Sequence, residues 1–201
     1  ADFFEDKGTP TLAAYDVGDR ERAKSYGLVQ LDGDEVIDFQ EKPDDPESTL
    51  VSIACYAFPA ETLPKLTTYL EDGENPDEPG WFLQWIQERG PVNAYTFDGA
   101  WFDIGTADSY LDAVEYALDG GTLVADDATV ENSDLGDVVH VMSGATVTDS
   151  TLDRAVVFED ATITDSKISK SVIDEGVTLE NVDLTGALIG SYTSITEGDD
   201  F

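Results

Sequence analysis

From residue 123 onward the chain repeats itself. Aliphatic residues recur as Val124, Val130, Leu135; then Val141, Val147, Leu152; then Val157, Ile163, Ile168; then Ile173, Leu179, Leu184; and finally Ile189, Ile195. Within each set the spacing is six then five residues, and each set follows the last after 16 or 17. The pair before the middle member also repeats: Ala128-Thr129, Ala145-Thr146, Ala161-Thr162, Val177-Thr178, Thr193-Ser194. An amphipathic helix needs a spacing near 3.6, and β-branched residues dominate here, so a helical reading fails. One aliphatic per side with small residues at the corners describes a triangular solenoid whose coils stack like on like.

Residues 1–118 read differently. Residues 11–17, 27–31 and 36–42 have strand character, the last two joined at Asp32-Gly33, a pair suited to a tight hairpin. The apolar run 50–58 is long enough for a central strand. Residues 60–70 and 81–89 show helical apolar spacing, the second stopped by Gly90-Pro91, and a strand at 92–97 leads to a helix at 107–118. This alternation implies a layered α/β domain over residues 1–118, followed by the solenoid over 119–201. The opening residues Ala1–Gly8 look like the tail of a helix.

Composition narrows the function classes. Forty-four acidic residues stand against ten basic ones, a net charge of −34, yet 41% of the chain is hydrophobic, enough for a core. The acids are dispersed rather than clustered, which fits a surface adapted to concentrated salt, as in a halophilic cytoplasm. Such a surface repels phosphate backbones, so nucleic-acid binding is not expected. No apolar run approaches the length of a membrane helix, and no signal-peptide pattern opens the chain, so a cytoplasmic protein without a membrane partner is expected. Cys55 is the only cysteine, which excludes an internal disulfide. Its place in the run 50–58 suggests a buried structural thiol.

Asp103 poses a problem of its own. It stands in Ala-Trp-Phe-Asp-Ile-Gly-Thr (100–106), where an apolar residue would pack more cheaply. A buried carboxylate needs a partner: a helix end, a cation or a metal. Thr106 is better placed than Asp103 to cap the helix that follows.

Three stretches then fall in order: Tyr26-Gly27-Leu28-Val29-Gln30-Leu31-Asp32, Glu41-Lys42-Pro43 at the end of a strand, and Asp103-Ile104-Gly105-Thr106. Taken together they resemble the sugar nucleotidylyltransferases, the NDP-sugar pyrophosphorylases typified by glucose-1-phosphate thymidylyltransferase. The resemblance covers residues 11–118, and the solenoid resembles the hexapeptide-repeat left-handed β-helix that several members carry. It implies an α/β nucleotide-diphospho-sugar transferase domain, present in part, followed by a left-handed parallel β-helix that brings copies together as a homo-oligomer. It further implies that sugar hydroxyls are held by backbone near Gly27 and by Glu41, and the sugar phosphate by Lys42. Asp103 would bind Mg²⁺, and the strand with Ser52 and Ala54 would pass beside the sugar ring. Lys42 and Asp103 are thus the catalytic candidates. Ser52-Ile53-Ala54 stands where the family usually has Asn-Ala-Gly or Val-Thr-Gly.

The implied substrates are a sugar-1-phosphate, with glucose-1-phosphate foremost, and a nucleoside triphosphate, dTTP or UTP. Joining two polyanions needs positioning, a lysine and Mg²⁺ rather than a general base. The family's glycine-rich nucleotide loop and its second metal carboxylate do not occur in these 201 residues. The chain is therefore expected to be the carboxy-terminal, sugar-phosphate part of a larger enzyme and inactive alone. Two alternatives stand beside this. Many hexapeptide solenoids are acyltransferases with a catalytic histidine, but His140, the only one, occupies the position of Leu123, Val156, Val172 and Leu188 in other coils. A non-catalytic assembly module is the other.

Overall fold

The computed structural model describes residues 1–196; the end of the expected solenoid domain, 197–201, lies outside the described residues. The chain forms two compact units, dividing between Trp101 and Phe102. In the first, a short helix α1 (Asp2–Lys7) ends at Gly8, and strand β1 (Thr11–Asp16) follows. A helical turn α2 (Arg20–Ala23) is capped by Asp19, whose carboxylate accepts from the amides of Glu21 and Arg22. Next come β2 (Gly27–Asp32), β3 (Glu35–Glu41) and β4 (Leu50–Ala57). Helices α3 (Leu63–Glu71) and α4 (Pro79–Gln87) precede β5 (Asn93–Thr96).

The five strands close on themselves in the order β1-β4-β2-β3-β5. β4 has strand neighbours on both sides, as its apolar run suggests. The hairpin between β2 and β3 turns through Gly33 and Asp34, one residue later than expected, because the positive φ of 61° falls on Gly33 as the first turn residue. Helix α4 lays Phe82, Leu83 and Ile86 against Val36 and Phe39 of β3 and Val29 of β2, which form one buried cluster. Each such side chain contributes about 1.5–3 kcal/mol by leaving water. This packing fixes α4 beside the end of β3, where the candidate site lies.

Cys55 departs from expectation: it is exposed. Across β1 and β4, Leu12 pairs with Tyr56 but Ala14 pairs with Ser52, so β4 carries extra residues between its two pairs. Ala54 sits in that bulge at φ 56°. The alternation of the strand is broken there, and Ala54 and Cys55 are turned out of the core.

The second unit begins with α5 (Ala107–Leu118), bounded as expected. Thr106 caps it: its hydroxyl accepts from the Ser109 amide while the Ser109 hydroxyl accepts from the Thr106 amide. Parallel strands then stack as a β-solenoid in the anticipated register. Val130, Val147, Ile163, Leu179 and Ile195 form one column. Leu135, Leu152, Ile168 and Leu184 form a second. Val124, Val141, Val157, Ile173 and Ile189 form the third. One corner is made by Asn132, Asp149, Asp165 and Asn181, all left-handed, with short polar side chains that tolerate that conformation. Beside it the hydroxyls of Ser133, Ser150 and Ser166 each accept from the amide one coil on, at Ser150, Ser166 and Val182.

Leu111 of α5 is fully buried and packs with Val156 and Val172 of the solenoid. Arg154 pairs with both Asp112 and Glu115 of the same helix. By packing, α5 therefore goes with the solenoid, although the change in sequence pattern falls after residue 118. A helix and a coil differ in periodicity even when they share a core.

Candidate active site

The end of β3 carries the first candidate residues. Gly27 of β2 pairs with Glu41 of β3 on one side and with Ser52 of β4 on the other. Ser52, Gly27 and Glu41 thus form one row across three strands, a relation that sequence order alone does not give. Ser52 is buried, and its hydroxyl lies 3.5 Å from the Tyr56 hydroxyl. Ala54 is left-handed in the adjoining bulge, a conformation glycine adopts freely. That is a physical reason for glycine to be usual at this position.

The Glu41 side chain stands half-buried against the start of α4. Its backbone N–H donates to Gln84 Oε1 at 3.2 Å. Burial raises the Glu41 pKa above its ordinary value; Lys42 opposes the rise and Glu78 adds to it. Lys42 follows with φ 45°, an uncommon conformation for a non-glycine residue, and Pro43 ends the strand. The Lys42 ammonium pairs with Glu78, the residue before α4. Glu78 Oε2 also accepts from Trp81 Nε1 at 3.1 Å and from Asn75 Nδ2 at 3.4 Å. These contacts, Lys42 first, hold the Glu78 carboxyl below its usual range, while Glu78 raises Lys42. Burial pushes Tyr56 up.

Gly27, Glu41, Ser52 and Ala54 lie on neighbouring strands of the first unit, and Lys42 directly follows one of them. Asp103 belongs to the second unit, three residues ahead of the α5 cap, and is exposed rather than buried among the flanking aromatics. The apolar neighbours that suggest burial pack elsewhere: Trp101 against Tyr15 and Tyr26, Phe102 against Tyr116. Thr106, not Asp103, is the helix cap. His140 sits half-buried in the solenoid, paired with Leu123 and Val156 as the coil register requires. Two residues escape sequence reasoning, Glu78 and Gly80. The available signal is a glycine directly after Pro79 at a helix start, where alanine would favour the helix.

The first unit is thus a small closed sheet with a carboxylate and a lysine at one strand end, and a parallel solenoid follows it in the chain. The family model described as Nucleotidyl transferase matches residues 1–120 of the 201, and the chain belongs to that family. Glucose-1-phosphate adenylyltransferase of Thermotoga maritima is 36% identical over 100 residues, covering 46% of this chain and 23% of its own length. The Bacillus subtilis protein of that name is 35% identical over 117 residues, covering 55% and 30%. That of Lachnospira eligens is 28% identical over 173 residues and covers 75% of this chain and 40% of its own length. The chain thus spans about a quarter of the length of the first of these relatives. Among the described residues, no helix is long and apolar enough to cross a membrane.

No three His, Cys, Asp or Glu side chains gather into a metal site among the described residues. Mg²⁺ commonly takes only one or two carboxylates and completes its shell with phosphate oxygens and water. An exposed Asp103 can offer one such carboxylate.

Proposed function

We propose that this chain supplies the sugar-phosphate side of a sugar-1-phosphate nucleotidylyltransferase. The observation that carries the reading is the row Ser52–Gly27–Glu41 with Lys42 directly beyond it. A carboxylate and a serine hydroxyl across a side-chain-free residue suit a sugar's hydroxyls, and the lysine suits its phosphate. In the reaction a phosphate oxygen of the sugar-1-phosphate forms a bond to the α-phosphorus of the nucleotide. The bond from that phosphorus to the β-phosphate bridging oxygen breaks, and pyrophosphate leaves. The attacking group is already an anion, so the chain's task is to orient it and to offset charge repulsion.

Mg²⁺, held in part by Asp103, would neutralise charge between the two phosphate groups. Glucose-1-phosphate is the favoured sugar substrate. The relatives' names support ATP as the nucleotide, and the resemblance to thymidylyltransferases supports dTTP or UTP. The 201 residues do not include a glycine-rich nucleotide loop, so this chain alone is expected to be inactive. The dispersed acidic surface supports a salt-rich cytoplasm as its setting, with the solenoid assembling copies into a homo-oligomer.

The test is pyrophosphate release by the whole enzyme, with glucose-1-phosphate against ATP, dTTP and UTP, in wild type and Asp103→Asn. Turnover with one nucleotide and its loss in a folded Asp103→Asn variant support the reading. Turnover by the 201-residue chain alone, or normal turnover in Asp103→Asn, contradicts it.

A further inference from the structure

We infer that Gly80 is a positioning residue, which by lacking a side chain keeps open the space occupied by the Glu41 carboxylate. Its consequence for ligand binding rests on the reading of Glu41 as a sugar-hydroxyl ligand; the geometry does not. A β-carbon added at Gly80 would lie 1.7 Å from Glu41 Oε2, 2.3 Å from Cδ and 2.9 Å from Oε1. Ordinary contact begins at roughly 3.5 Å. A β-carbon at Gly27 would stand 2.4 Å from Phe39 Cζ and 2.9 Å from the same Oε2. The carboxylate is therefore fitted against two residues that present only hydrogens to it.

Gly80 is the second residue of α4 and is buried. Glycine inside a helix costs about 1 kcal/mol relative to alanine. Its φ is not left-handed, so the backbone does not require glycine there. What requires it is Glu41. The obstructed atoms belong to the free end of a glutamate rather than to backbone, so an added methyl group displaces the carboxylate and leaves the helix in place.

The charged and titratable groups around Glu41 come from three elements. Lys42 follows it at the strand end, Glu78 precedes α4, and Tyr56 lies on β4. Displacing the carboxylate outward removes the burial that raises its pKa. The Glu41 titration midpoint then moves down toward that of an ordinary glutamate.

The experiment follows the Glu41 side-chain carbonyl by carbon-13 NMR over acid pH, in wild type, Gly80→Ala and Gly90→Ala. A β-carbon at Gly90 meets nothing, which makes it the control. Glucose-1-phosphate affinity is measured on the same samples. The expected result is a raised midpoint in wild type and Gly90→Ala, and a lowered one in folded Gly80→Ala. Affinity should fall about tenfold in Gly80→Ala, or roughly 1.4 kcal/mol, and recover in part in Gly80→Ala/Glu41→Asp, whose carboxylate is one methylene shorter. An unchanged midpoint in folded Gly80→Ala overturns the inference. Should Gly80→Ala fail to fold, Gly80→Ala/Glu41→Ala must restore folding; continued unfolding also overturns it. A midpoint that responds to Gly80 without any glucose-1-phosphate binding keeps the positioning role and removes the sugar reading.

Discussion

Lys42 and Glu78 lie 36 positions apart in sequence and are joined as an ion pair at the start of α4. The lysine assigned to a substrate phosphate is thus already neutralised by a carboxylate of the same chain. On the proposed function, an arriving phosphate would have to replace Glu78. Replacement is feasible because both side chains are well exposed, at 48% and 38%. Exposed pairs of this kind are worth little in stability.

Glu78→Gln is therefore expected to tighten glucose-1-phosphate binding several-fold, since the competing charge is gone while Trp81 and Asn75 keep a hydrogen-bond partner. Calorimetric titration of the two proteins checks this. The Glu78 pKa is lowered by Lys42, so the pair is present above the ordinary glutamate range and is lost only as pH falls through the lowered value. The difference between variant and wild type should persist at neutral pH and shrink in strong acid.

Glu41 has the opposite sign. Its pKa is raised chiefly by burial, so its favourable contribution to stability is present below the ordinary value of 4.5 and is lost as pH rises through the folded value. At neutral pH the ionised carboxylate is a cost to stability. Glu41→Gln should melt at or above wild type at neutral pH, and the two should converge at about pH 4. Melting curves at both pH values decide it.

Ile163 is buried in the column between Val147 and Leu179. Ile163→Asp places an unpaired charge in the stack and should destabilise the solenoid by at least about 3 kcal/mol. Neighbouring coils should lose amide-exchange protection with it, because each coil is stabilised only by those beside it. Exchange measured by mass spectrometry locates the loss.

With a net charge of −34, the chain repels itself at low ionic strength. Screening over a Debye length of roughly 3 Å in about 1 M salt should raise its melting temperature. A scan in increasing KCl measures this, and light scattering in the same salt gives the assembly state expected of the solenoid.

The solenoid is the most readable part of the sequence because one residue type per side repeats at fixed intervals, and Val130, Val147 and Ile163 pair as that interval requires. Strand positions in the first unit are readable from alternation, and the bulge at Ala54 is not, since nothing in an apolar run marks extra residues in one partner of a pair. Glu41 and Lys42 enter as candidates through the resemblance. Glu78 and Gly80 are not, because their part comes from the packing of α4 on β3, which brings distant segments together. Asp103 reads as buried in the sequence but is exposed in the fold, where the aromatic residues beside it pack on Tyr15 and Tyr116.

The most direct test titrates glucose-1-phosphate into the nitrogen-15-labelled 201-residue chain, with glucose and glucose-6-phosphate as controls. The account predicts saturable shifts at Gly27, Glu41, Lys42 and Ser52, specific to glucose-1-phosphate and lost in Lys42→Ala. Shifts that are absent, equal for all three ligands or confined to the solenoid would contradict it.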